Sequence, residues 1–236
     1  DKNLRSTSGL TGGEGATMLE YSQKAQGGLM GEFMTKAIGR AMCVSNCNAA
    51  MGRIVATPTA GSCGILPGCL VSMYQDKGYN KKDIVMSIFT AAAFGMVIAK
   101  QASIAGAEGG CQAECGSASG MAAASLVELM GGSPKACGDA LGMSLVNQMG
   151  LVCDPVAGLV EIPCVKRNVS GVVIAFPLRI WLWQELNPKS LLMKSSMLCI
   201  RSAQAYQLPL EKRLKVVWQL LQLGNDYNKK FSESNL

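Results

Sequence analysis

Residues 109–132 read GGCQAECGSASGMAAASLVELMGG, and this stretch gives the clearest indication of the fold class. Between its two glycine pairs it consists largely of Ala, Gly and Ser, with Met, Leu and Val among them. Small side chains of this kind let neighbouring helices approach closely, and the same texture recurs at residues 91–93. We therefore predict an all-α fold, a single Gly/Ala-rich helical domain in which cysteine-bearing loops surround a functional site.

The composition around this stretch indicates a globular protein. Of the 236 residues, 49% are hydrophobic and only 16% are charged, which is enough apolar material for a substantial core. Aromatic residues make up 6%, while there are 27 Gly and 14 Met. This balance excludes a disordered chain and favours tightly packed helices joined by flexible loops.

The net charge of +6 does not indicate a nucleic-acid-binding protein. From Pro177 onward there are nine Lys or Arg against four Asp or Glu, so most of the excess lies in the last quarter of the chain. The preceding residues offer no basic face with aromatic or helical recognition elements. We expect no nucleic-acid partner.

Ten Cys and no His is an unusual combination. No basic and apolar leader opens the sequence, and disulfide scaffolds are shorter, so we expect reduced thiols and a cytoplasmic location. Four of the cysteines lie in apolar or Ala/Gly-rich surroundings and are expected to be buried core residues: Cys43, Cys47, Cys69 and Cys137.

The most apolar run extends from Ile84 to Ala99 and raises the question of a membrane span. It is 16 residues long and is closed by Lys100, which is short of the roughly 20 residues that a spanning helix needs. We predict a buried helix and no membrane association.

Two glycine-rich loops precede the helices of the first half. Residues 8–14 read SGLTGGE and form an entry loop, because glycines this dense favour backbone conformations that helices exclude. Residues 17–50 have helical spacing. Residues 53–68 read RIVATPTAGSCGILPG; they begin extended, since Thr57 precedes proline, and then turn into an apolar helix.

Two segments combine Cys with Gly or Pro: residues 109–118, GGCQAECGSA, and residues 153–168, CDPVAGLVEIPCVKRN. Prolines at 155 and 163 keep the second segment out of continuous helix, so its thiols can surround a cluster. Structural zinc is the alternative, because Cys43/Cys47 and Cys111/Cys115 have the short spacing of zinc ligands.

These segments, with residues 53–70 and the entry loop, resemble the alpha chain of the iron-sulfur L-serine dehydratases. The resemblance spans most of residues 1–176. It implies that Cys111, Cys153 and Cys164 hold a 4Fe-4S cluster, with Cα atoms within roughly 10 Å of one another. Cys63 and Cys115 stand where the family does not require Cys, and we interpret them as incidental neighbours.

The resemblance also implies the chemistry. Three ligands leave one of four irons open, and an open iron is a Lewis acid. Coordination of the serine hydroxyl would stabilise the leaving oxygen while a base removes the α-proton, giving pyruvate and ammonia without pyridoxal phosphate. The family's role lies in amino-acid degradation and gluconeogenesis.

The general base is not evident, because this chain has no His. The resemblance implies a beta chain as partner in a larger oligomer, and we expect that chain to supply the base or part of the substrate site. On this chain Lys166 is the candidate base, although a surface cation or a carboxylate anchor fits it equally. Loop chemistry suggests four L-serine-binding residues: Ser8, Thr11, Thr59 and Ser62.

Two other classes of protein stay open at this point. One is a non-catalytic helical subunit with a structural zinc site, and the other is a small membrane protein. Iron and sulfide content would separate the first from a dehydratase, and solubility without detergent would exclude the second.

The composition changes near Phe176, where the family resemblance stops. All three Trp and only one of the 27 Gly lie beyond it, so we divide the chain into a catalytic domain, 1–176, and an aberrant tail, 177–236. If the codons of this tail are back-translated and read one nucleotide earlier, the codons for residues 177–186 can encode SSADMALAGI and those for residues 221–225 can encode TPTGK. Both peptides resemble the family's C-terminal region. We predict a frameshift in the source DNA and a tail that packs poorly on the core.

Overall fold

The computed structural model describes residues 1–24 and 28–177, and these residues form an all-helical domain. Its α-helices are α1 (Glu14–Lys24), α2 (Gly31–Ala49), α3 (Ile65–Lys77), α4 (Lys81–Gln101), α5 (Gly106–Gly109), α6 (Cys111–Leu129), α7 (Pro134–Asn147) and α8 (Cys164–Ala175). No β-strand occurs in these two ranges. The predicted all-α class is confirmed, whereas the predicted packing of residues 178–236 lies outside the described residues.

The stretch quoted at the outset becomes α6, the central helix of the domain. It packs against α3, α4, α7 and α8, and nearly all of its residues are buried. Ala118 and Ala122 are fully buried, and a Cβ added to Gly120 would stand only 3.0 Å from the Cγ atom of Leu141. The small residues therefore permit the close helix packing that the sequence predicts.

The apolar run that we expected to be buried lies largely at the surface. It forms α4, which has 21 residues and buries only Ser87, Ala91, Gly95 and Ile98. Its other faces carry large exposed apolar side chains: Val85, Met86, Ile88, Phe89, Met96 and Val97. Among the described helices, α4 alone is long and apolar enough to cross a membrane by length and composition. The prediction of a short buried helix is wrong, because an apolar sequence does not specify which elements are present to cover it.

The segment before α3 has the extended and turned form that the sequence predicts. The side chain of Asn168, on α8, holds this turn at two points: it donates to the Gly61 carbonyl at 2.8 Å and accepts from the Gly64 N–H at 3.0 Å. A Cβ at Gly64 would stand 2.2 Å from the Ala41 carbonyl oxygen, so glycine also allows α3 to begin directly against α2. The turn is thus fixed between α2 and α8.

Polar and aromatic contacts join the ends of α2, α3 and α8. Arg40 of α2 pairs with Asp76 of α3, and its Nη2 lies 3.2 Å from Oδ1. Beside this pair, the rings of Phe33 and Phe176 pack edge to face with centroids 5.1 Å apart, and the Lys77 ammonium lies 4.7 Å from the Phe33 centroid. These contacts anchor the chain where α8 ends.

Candidate metal centre

Two of the predicted ligands are each the first residue of a helix: Cys111 begins α6 and Cys164 begins α8. Gly110 precedes Cys111 with φ of 75°, a left-handed conformation that favours glycine, and Pro163 precedes Cys164. The first N–H groups of a helix lack partners within it and carry partial positive charge, which stabilises a thiolate. These two cysteines therefore lie at helix starts rather than within loops, and their position favours metal-binding thiolates.

The Cys111 sulfur lies at the centre of a group of hydrogen-bond donors. The thiols of Cys115 and Cys164 and the guanidinium of Arg167 all lie close to it. These neighbours, above all Cys115, hold the pKa of Cys111 well below its usual range. The pKa values of Cys115 and Cys164 are raised, because each donates to the Cys111 sulfur and is desolvated. Of these three thiols, Cys111 is therefore the one most readily deprotonated.

Cys153 lies on an exposed loop next to this group. A Cβ at Gly110 would stand 3.3 Å from the Cys153 backbone nitrogen, so the loop packs directly on the residue before Cys111. Arg167 holds the loop from α8, with hydrogen bonds of 2.9 Å to the Val152 carbonyl and 2.6 Å to Asp154. Burial and the nearby Cys111 charge raise the pKa of Cys153. The structure thus brings all three predicted ligand segments together, with Cys153 at their exposed edge.

The three cysteine segments supply thiols of the kind that hold an iron-sulfur cluster. Within residues 1–24 and 28–177, no three Cys, Asp or Glu side chains are arranged to hold one metal ion. A four-iron cluster is larger than one ion, so its thiolate ligands stand apart around it. Two thiols at helix starts, a third on the adjoining loop and a guanidinium beside them form a donor set that fits such a cluster.

Glu114 links the thiol group to the turn before α3. Thr59 donates a 2.5 Å hydrogen bond to its carboxylate, and the Gly61 N–H donates another. Ser62 lies 3.0 Å from the Thr59 hydroxyl. Desolvation, followed by the charge of Cys111, raises the pKa of Glu114 against these hydrogen bonds. A partly buried carboxylate with a raised pKa therefore stands between the hydroxyl-bearing turn and the thiols.

A second carboxylate, Glu161, holds the entry loop. It accepts hydrogen bonds from Ser8 at 2.8 Å and from Thr11 at 3.3 Å, and a third from Ser6. These bonds, Ser6 first, lower the pKa of Glu161. Glu161 lies three residues before Cys164. Its hydrogen bonds therefore connect the entry loop to the segment between Cys153 and Cys164.

The predicted site residues thus fall into three groups in the structure. Ser8 and Thr11 lie at Glu161, and Thr59 and Ser62 lie at Glu114. Cys111 and Cys164 lie at the starts of α6 and α8, with the Cys153 loop beside them. Lys166, the predicted base, is exposed on α8.

Sequence reasoning missed Glu114, Glu161 and Arg167, although all three lie inside the two cysteine-bearing segments. Their spacing was the available signal, since each lies three residues from a predicted ligand and three residues are nearly one helical turn.

A groove beside the turn at residues 57–64 has none of the predicted ligands in its lining, so the prediction that the ligand loops line one cavity with this turn is only partly met. Glu114 and Asn168 do reach that turn, yet the 1060 Å³ groove beside it lies between α2, α3 and α4. Three thiols outside the predicted ligand set line it: Cys43, Cys47 and Cys63. A 650 Å³ groove borders the entry loop.

One thiol at the start of α6, a second at the start of α8 and a third on the adjoining loop define a helical protein with a cysteine group where two helices begin. The chain belongs to the serine dehydratase alpha chain family, whose model matches residues 1–180.

Curated relatives support this membership. The chain is 49% identical over 170 residues to "Probable L-serine dehydratase, alpha chain" of Bacillus subtilis, covering 72% of this chain and 56% of that protein. It is 49% identical over 157 residues to "L-serine dehydratase, alpha chain" of Peptoniphilus asaccharolyticus, covering 66% of this chain and 53% of that protein. It is 38% identical over 198 residues to "L-serine dehydratase TdcG" of Escherichia coli, a match that covers 83% of this chain and 39% of that protein. The chain spans about half the length of the first two of these relatives.

Proposed function

We propose that this chain is the catalytic alpha chain of an iron-sulfur L-serine dehydratase, which converts L-serine to pyruvate and ammonia. The observation that carries the proposal is the Cys111 thiolate in contact with Cys164 and next to the Cys153 loop. The names of the relatives point to the same substrate.

Cys111, Cys153 and Cys164 would hold a 4Fe-4S cluster. When bound, the cluster supplies a Lewis acid that polarises the serine hydroxyl as a leaving group. Arg167 and the N–H groups at the starts of α6 and α8 offset the negative charge of the thiolates.

The chain's own polar loops would bind the substrate. Ser8 and Thr11 are held by Glu161, and Thr59 and Ser62 are grouped at Glu114, so each pair of hydroxyls is fixed beside a cysteine-bearing segment. Lys166 is exposed two residues after Cys164, a position that suits an anchor for the substrate carboxylate better than proton abstraction inside the site.

The site would be completed by an L-serine dehydratase beta chain, in an oligomer in the cytoplasm. The family's alpha-chain name supports such a partner. Nine described cysteines are free thiols, which is consistent with a reducing compartment.

Anaerobic reconstitution tests the proposal. The full chain, co-produced with a beta chain and loaded with iron and sulfide, should bind about four irons and form pyruvate from L-serine. Activity should fall in air. Stoichiometric zinc without pyruvate would favour the alternative, a non-catalytic helical subunit with a structural metal.

A further inference from the structure

We infer that Glu114 is the general base that removes the α-proton of the substrate, an inference that rests on the proposed dehydratase function. The first support is its position on α6, three residues after Cys111 and therefore nearly one turn along the same face. A base at this point faces the turn that carries Thr59 and Ser62. It stands between the proposed serine-binding hydroxyls and the proposed metal ligands.

The second support is the way the carboxylate is seated between two glycines. A Cβ added to Gly61 would stand 2.6 Å from Oε1, and one added to Gly106 would stand 2.8 Å from Oε2. Both oxygens therefore occupy space that any other residue would fill. Thr59 and the Gly61 N–H fix their orientation. A base held in one orientation loses little freedom when the substrate binds.

The third support is the surroundings of the group. Burial raises the pKa of Glu114, which makes it a stronger base than an exposed carboxylate. The neighbouring carboxylates are less suitable: Glu161 is stabilised as the anion by three hydroxyls, and Asp154 is paired with Arg167. Lys166 is exposed. Of the described groups near the thiols, Glu114 best meets the requirements of a base.

The proton and electron balance of the step is simple. The Glu114 carboxylate accepts the Cα proton, and the C–H electron pair forms the Cα–Cβ double bond. The Cβ–O bond breaks and hydroxide leaves with its electron pair. Return of the proton from Glu114 converts hydroxide to water, and the aminoacrylate then tautomerises and is hydrolysed to pyruvate and ammonia.

The test compares Glu114→Gln with Glu108→Gln in the cluster-loaded complex with a beta chain. Glu108 is an exposed carboxylate near the start of α6 and serves as the matched control. For Glu114→Gln we expect unchanged iron content, unchanged serine-induced changes in the cluster spectrum, and a kcat lower by about 10²-fold or more with little change in KM. Exchange of the serine α-proton with deuterated solvent should be lost in parallel. Glu108→Gln should match the wild type throughout.

A second variant separates catalysis from structure. In Glu114→Ala, added formate should restore part of the lost rate, because a small carboxylate can occupy the vacated space. Loss of the cluster in both variants, or a kcat within about threefold of the wild type in Glu114→Gln, would overturn the inference. A wild-type complex with no cluster and no pyruvate would instead overturn the proposed function, and the inference with it.

Discussion

The carboxylate of Glu161 accepts a 2.8 Å hydrogen bond from the hydroxyl of Ser8, a residue 153 positions earlier in the chain. Through this bond and those from Ser6 and Thr11, the entry loop is attached directly to the segment between Cys153 and Cys164. A change at Glu161 should therefore act on both loops.

Glu161→Gln removes the charge to which these hydroxyls donate while keeping the size of the side chain. Because the hydrogen bonds lower the pKa of Glu161 from 4.5, their contribution to stability is complete above that pH and is lost as the pH falls through the lowered pKa. We expect the apoprotein variant to unfold at a lower temperature than the wild type at pH 7, with a smaller difference below about pH 4. Circular dichroism during heating measures both. An equal difference at the two pH values would contradict the prediction.

Cys153→Ser should abolish cluster retention, because a serine hydroxyl is a poor iron ligand beside thiolates. We expect bound iron and turnover to fall by at least about tenfold. Cys137→Ala is the control: Cys137 is a buried core residue, so its truncation should cost about 1 kcal/mol of stability and leave iron content unchanged. Iron analysis after gel filtration distinguishes the two variants. Equal iron loss would mean that the thiols are assigned wrongly.

Cys115→Ala should change the thiol chemistry of the apoprotein without removing the cluster. The Cys115 thiol contributes the largest of the effects that lower the pKa of Cys111, so its loss should raise that pKa. The thiolate absorbance of the apoprotein, followed in a pH titration, should then appear at a higher pH than in the wild type. Cys63→Ala is the matched control, a buried thiol outside this group. Loss of iron in Cys115→Ala alone would instead make Cys115 a ligand.

Gly61→Ala should displace the carboxylate of Glu114, because the new Cβ would stand 2.6 Å from one of its oxygens. We expect a loss of about 1–3 kcal/mol of stability and lower activity. Gly116→Ala on α6 is the control: its Cβ would meet the nearest atom at 3.5 Å, and alanine favours a helix by about 0.5–1 kcal/mol. Urea unfolding of both apoproteins measures the difference. Equal losses of stability in Gly61→Ala and Gly116→Ala would show that close packing against Gly61 does not constrain the Glu114 carboxylate.

The altered reading frame beyond Phe176 stays a prediction, because residues 178–236 lie outside the described residues. The family model matches residues 1–180, close to the predicted boundary, whereas the match to the Escherichia coli relative covers 83% of the chain and so extends beyond residue 180. Resequencing the source DNA should reveal a missing nucleotide in a T-rich run at the Phe176 codon. If resequencing finds the same reading frame, the frameshift hypothesis is wrong and the tail is a genuine part of the protein.

Sequence reasoning was strongest where local composition decides the structure. Small residues at 109–132 indicated close-packed helices, and glycine and proline placed the turn at 57–64, because these preferences act over a few residues. The prediction that α4 is buried was wrong, because the apolar sequence of a helix does not specify whether other elements of the chain cover it. The cysteine motifs indicated Cys111, Cys153 and Cys164 only through resemblance, since spacing alone left zinc open.

The helical class and the turns can be predicted from the amino-acid sequence, because they follow from side-chain size and local backbone preference. Which groups come into contact depends on the tertiary structure. Glu114 and Thr59 are 55 residues apart, and Cys111 and Cys164 lie on different helices, yet both pairs are in contact. Such contacts depend on how α6, α8 and the turn before α3 pack together, and that packing sets the burial and the charge that each carboxylate and thiol experiences.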